Sequence, residues 1–111
     1  MQERRRAERI RLDLPVRWES LLTEGRGSIC DLSASGCFVL SAGYLKVSEL
    51  VRLEINFGIN RVFLWGEVVY GVPEMGFALR FLLSEANERR ALTHLIEQLQ
   101  KSTVDSVPTV S

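Results

Sequence analysis

The residues VRLEINF, 51–57, alternate apolar and polar side chains without a break: Val51, Leu53, Ile55 and Phe57 against Arg52, Glu54 and Asn56. An extended strand puts every second side chain on the same face, so this segment is predicted as a strand with one face in a core and one in water. GIN, 58–60, reads as a short turn. RVFLWGEVVY, 61–70, reads as the returning strand, with Val62, Leu64, Val68 and Tyr70 on one side and Arg61, Phe63, Trp65 and Glu67 on the other. After the break GVPE, the segment MGFALRF brings Phe77, Leu79 and Phe81 into phase. Upstream, PVRWESL, GRGSICD and GCFVLSA read as three shorter strands, with Pro15 tolerated at the start of the first. The expectation is a mainly β domain, about six strands in a meander that closes into a small antiparallel barrel.

From Ser84 the period changes. Ser84 is a candidate N-cap, Glu85 and Glu88 stand in the first turn, and Leu92, Leu95, Ile96 and Leu99 follow at i, i+3, i+4 and i+7. That spacing predicts a C-terminal amphipathic α-helix packed on the barrel. His94 falls off the stripe and is expected to face solvent. Phe63 and Trp65 are expected to form a second packed face beneath the helix, the alternative being a stacking platform for single strands or a partner. The expected organisation is an arginine-rich arm over 1–12, a barrel with its helix over 13–101, and a small, polar, disordered tail over 102–111.

A chain of 111 residues fits one domain, because a core of this size removes about two-thirds of the unfolded surface from water. No apolar run approaches the roughly 18 residues that span a bilayer, so no membrane insertion is expected and the protein is read as cytoplasmic. With 14 basic and 14 acidic residues, the net charge of zero gives no global field to attract nucleic acid or an anionic membrane. Any anion has to be bound locally. Cys30 and Cys37 are too few for a disulfide scaffold or a four-ligand zinc site, and His94 is the single histidine, so neither a metal nor a cofactor is expected. The two thiols are expected as small buried hydrophobes, with a redox switch on the flanking loop as the alternative. No nucleophile and base pair and no P-loop is present, which argues against an enzyme.

Two segments remain to be explained. RRRAERIRLD, 4–13, carries five arginines, and DLSASG, 31–36, joins the strands that end at Cys30 and begin at Cys37. Arginine offers a planar fork of donors that fits guanine O6 and N7 or phosphate oxygens. A carboxylate suits the opposite edge, where guanine N1–H and N2–H2 are adjacent donors, and Asp31 has two acceptor oxygens. Serine hydroxyls and the backbone N–H groups of a glycine-containing loop hold phosphate oxygens, and Gly36 suits a positive φ. Together the segments are suited to a guanine nucleotide.

In order, Arg5-x-x-x-Arg9 followed by Asp31-x-Ser33-x-x-Gly36 resembles the paired signature of the PilZ domain family, and GFALRF resembles its last strand. The resemblance covers roughly residues 3 to 100. It implies a six-stranded barrel of the PilZ type with a C-terminal helix, and a bacterial receptor for cyclic di-GMP capped by the amino-terminal arm. Carried over, Arg5 and Arg9 contact guanine and phosphate, Asp31 takes a guanine edge, Ser33 a phosphate or base, and Gly36 lets the ligand lie against the backbone. Arg4 matches the basic residue that goes with binding two nucleotides per chain, so one or two ligands are expected. A one-domain receptor needs a protein effector for its output, in motility, biofilm or a related process, and the arm is the part expected to move. Monomer or weak homodimer is the expected state. The alternative is a ligand-independent adaptor of the same fold.

Overall fold

The computed structural model describes residues 9–106. Six strands, β1 (Ile10–Ser20), β2 (Glu24–Leu32), β3 (Gly36–Leu40), β4 (Leu50–Phe57), β5 (Asn60–Val72) and β6 (Gly76–Phe81), precede one helix, α1 (Ala86–Ser106). All the pairings are antiparallel, and the barrel closes in the order β1-β2-β3-β6-β5-β4. The expected barrel and helix are therefore present, but the strands do not form a meander. β3 pairs with β6, and residues 41–49 cross to β4 with Leu45 buried on the way. Alternation identifies strands and is silent on which strand lies beside which.

The alternation decides the core. Val51, Leu53, Ile55 and Leu64 are fully buried, Phe77, Leu79 and Phe81 nearly so, and Trp18 stacks edge-on against Phe77 with ring centroids 5.4 Å apart. The Trp18 indole N–H donates to Ser41 Oγ at 2.9 Å, which meets the hydrogen-bonding need of a buried tryptophan. β1 starts five residues before Pro15, at Ile10, so residues 10–12, expected in the arm, are strand. Proline is accommodated because the β1–β4 ladder begins only at Val16, leaving β1 with one neighbour at Pro15.

Phe63 and Trp65 are not beneath the helix. They lie on the outer face of β5, 41% and 43% exposed, where the Arg52 guanidinium covers the Phe63 ring at 4.6 Å. The helix docks instead beside the β4–β5 turn, burying Leu92, Leu95 and Leu99, with Asn60 Nδ2 donating to Gln98 Oε1 at 3.5 Å. His94 is exposed. The cap is one residue later than Ser84: the Glu85 carbonyl accepts the Arg89 N–H, and the Glu88 carboxylate accepts the Glu85 N–H at 3.2 Å, half of a capping box. At its other end α1 continues through Ser106 into the expected tail, and no helix breaker stands before Pro108.

Candidate functional site

The β2–β3 connection is held from within and from β6. Ser33 N–H donates to the Gly36 carbonyl at 2.9 Å, Ser33 Oγ accepts the Ser35 N–H at 3.2 Å, and the Ser35 carbonyl takes the Phe81 N–H at 2.9 Å. Ser33 is only 2% exposed, and its hydroxyl also meets Ser35 Oγ at 3.1 Å. Its hydroxyl thus shapes the turn, whereas that of Ser35 lies on an exposed residue. Gly36 has no positive φ. Glycine is needed because a Cβ would collide with the Leu79 carbonyl oxygen where β3 and β6 approach each other.

Just before this turn the β2–β3 register slips between Ile29 and Asp31, a bulge at Cys30. One extra residue changes the parity, so Ile29 and Leu32 are both fully buried while Cys30 and Asp31 are turned partly outward. Asp31 Oδ1 accepts a hydrogen bond from Arg9 Nη1 at 3.0 Å. Arg9 is held there by the β1–β2 ladder, in which Ile10 faces Leu32. With the Arg9 side chain 62% exposed, the pair contributes at most about 1 kcal/mol and a competing anion can open it.

A second bulge shapes the opposite wall. The β5–β6 register slips between Val68 and Tyr70, so Val68 is 1% exposed while Val69 and Tyr70 both turn outward, at 47% and 52%. Tyr70, expected on the inner face, therefore faces solvent. It meets Phe38 of β3 at 6.2 Å between ring centroids, tilted by 41°. Between these walls lies a cleft of about 550 Å³ lined by Arg9, Asp31, Ser33 and Gly36 together with Phe38, Tyr70, Met75 and Arg80. Its volume is in the range of small-molecule sites. Beneath it burial pushes the Cys37 thiol far above its usual pKa, with Asp31 and Cys30 adding to the rise, so the thiol stays protonated and inert.

The structure thus brings four of the expected residues, Arg9, Asp31, Ser33 and Gly36, into one cleft. Arg4 and Arg5 lie outside the described residues. Sequence reasoning missed Ser35, Phe38, Tyr70, Met75 and Arg80. Phe38 and Arg80 were within reach, since each stands between inward-facing neighbours; Tyr70 was not, because a bulge leaves no mark in the alternation. The chemistry offered is a cation, a carboxylate, a hydroxyl and an apolar aromatic wall, which suits a flat, anionic, hydrogen-bonding ligand. Among the described residues no group of three metal-ligating side chains comes together, and no helix is long and apolar enough to cross a membrane.

A solved structure of the PilZ domain of YcgR from Escherichia coli with c-di-GMP superposes with a TM-score of 0.80 at 18% identity, covering 96% of this chain and 99% of that one. The PilZ domain of CeSA from a cellulose-synthesizing bacterium gives 0.74 at 16% identity, over 85% and 99% of the two chains. The Bacillus subtilis inhibitor of motility MotI/DgrA gives 0.67 at 23% identity, over 89% of this chain and 52% of that one. No curated protein matches the sequence at a significant level. The family model of the PilZ domain matches residues 3–98, nearly the whole barrel and helix, and the chain belongs to the PilZ domain family.

Proposed function

We propose that this chain is a receptor for cyclic di-GMP, and that it binds the nucleotide without transforming it. The observation that carries the reading is the Arg9–Asp31 pair at 3.0 Å, set in a cleft also lined by Phe38 and Tyr70. Separated by a nucleotide, the two partners present complementary chemistry: the guanidinium to phosphate or the Hoogsteen edge, the carboxylate to N1–H and N2–H2. Tyr70 and Phe38 supply ring faces for a purine. The family membership and the nucleotide-bound YcgR domain support the same ligand. Arg5 completes the proposed grip, and Arg4 adds the cation that a second nucleotide needs, giving two per chain. The receptor is placed in the bacterial cytoplasm and signals through a protein effector that reads the change in the arm.

Calorimetric titration with cyclic di-GMP, cyclic di-AMP, GTP and a short single-stranded RNA tests this. Cyclic di-GMP is expected to bind, and cyclic di-AMP more weakly by about five- to 150-fold, since adenine turns an acceptor toward Asp31 at a cost of about 1–3 kcal/mol. Equal affinity for the two would overturn the assignment, and no binding of either would favour the adaptor. The ratio is expected to be two for the unmodified protein and one for Arg4→Ala.

A further inference from the structure

The motif residues account for one described cation in the cleft, Arg9, yet the cleft has another. Phe77, Leu79 and Phe81 point inward along β6, so Arg80 between them points out. Its register partners are Gly36 on β3 and Glu67 on β5. On the β3 side glycine leaves the space beside Arg80 without a side chain. On the β5 side the Glu67 carboxylate forms an ion pair with its guanidinium. The next residue, Phe81, donates its N–H to Ser35, so the main chain fixes the root of Arg80 against the 31–36 turn. The Arg80 side chain is 59% exposed, so its pair with Glu67 is open to competition from a solvent-borne anion.

Glu67 does not line the cleft, whereas Arg80 does. The carboxylate therefore draws the guanidinium toward β5, and an anion in the cleft draws it back. This differs from the Arg9–Asp31 pair, in which both partners face the cleft. A cyclic dinucleotide carries two phosphodiesters, and Arg80, rooted opposite Gly36, brings a second described cation to the cleft that holds Arg9. The bidentate fork of arginine fits a phosphodiester, and a single neighbouring carboxylate on an exposed face is a weak competitor.

We infer that Arg80 is a further phosphodiester-binding residue of this cleft and that Glu67 limits its hold on the ligand by competing for the same guanidinium. The inference rests on the cyclic di-GMP reading above. Arg80 touches the ligand; Glu67 acts through Arg80 and is a positioning residue.

Titration of cyclic di-GMP into the full chain and its variants, repeated over a series of salt concentrations, tests it. Arg80→Ala is expected to weaken binding by about tenfold or more and to make the salt dependence shallower, because a screened charge pair is gone. Arg80→Lys, which keeps the charge and loses the fork, falls between. Glu67→Gln keeps an acceptor while removing the competing charge, and is expected to tighten binding by about two- to fivefold. If Arg80→Ala does not fold, the lysine and glutamine variants still decide. Unmodified protein that binds, with Arg80 variants of unchanged affinity and salt dependence, overturns the inference alone. Weaker binding by Glu67→Gln overturns the competition. No binding by the unmodified protein overturns the cyclic di-GMP reading and the inference with it.

Discussion

The wall formed by β1, β4 and β5 and the wall formed by β2, β3 and the far half of β5 with β6 obey the same alternation and put it to different use. In the first, the ladders run without a slip from Val16–Ile55 to Ser20–Val51 and from Leu50–Glu67 to Phe57–Asn60. Its outer face is closed by cross-strand pairs, Arg61 with Glu54 at 3.3 Å and Arg52 with Glu19 at 3.6 Å. In the second, bulges at Cys30 and Val69 interrupt the ladders on either side of β3 and β6. Each bulge turns consecutive side chains outward while the next inward residue is kept, so a concave surface forms with no loss of core. Regularity serves stability, and the slips make a site.

Substitutions can break this division. Leu53→Ala, in the middle of the regular wall and fully buried, is expected to have the largest effect, about 2–5 kcal/mol of stability in urea unfolding, with nucleotide affinity of the folded protein unchanged. A loss below about 1 kcal/mol would show that the wall collapses easily around the gap. Asp31→Ala comes next: affinity for cyclic di-GMP falls by about tenfold or more, and the melting temperature hardly moves, since an exposed ion pair contributes at most about 1 kcal/mol. A large thermal loss with unchanged affinity would make Asp31 a structural residue.

A smaller effect, nil at neutral pH, tests how dry the core is behind the cleft. Folding holds the Cys37 thiol above its ordinary pKa, so the folded chain keeps a proton that the unfolded chain releases above about pH 8.5. The stability this residue contributes is complete below that pH and declines as pH rises past it. Unfolding curves at several alkaline pH values should show this decline in the unmodified protein and less of it in Cys37→Ala. Equal slopes would mean that water reaches the thiol. Smallest of all is Trp65→Ser on the outer face of the regular wall, expected to change stability by no more than about 1 kcal/mol and nucleotide affinity not at all. A several-fold loss of affinity would extend the site across β5.

What could be read in advance follows the same division. Val51 to Phe57 announce their strand because every step keeps parity, and the chemistry of Arg9 and Asp31 is visible in their types and spacing. Alternation puts Tyr70 on the wrong face because a bulge shifts the parity before it. Phe63 and Trp65 suggest a covering helix because large aromatic rings normally need burial, whereas here Arg52 shields the Phe63 ring face. Gly36 does not have the positive φ its turn context suggests; the clearance it provides is toward the Leu79 carbonyl, in a β3–β6 pairing that local pattern cannot reveal. The start of β1 was hidden by Pro15 and the arginines around Ile10.

Closure of the barrel limits how another protein can read this domain. β4 returns to β1, so the barrel closes and no strand is a free edge along its whole length. Where one side of β1 is left open, before Val16, Pro15 lacks an N–H to offer and Arg11 carries a charge. A closed barrel offers a partner's strand only short unpaired stretches, such as β2 before Ser28, instead of a full edge. Recognition of this domain, bound or free, therefore falls mainly to side chains and connections, with main-chain zippering confined to those short stretches.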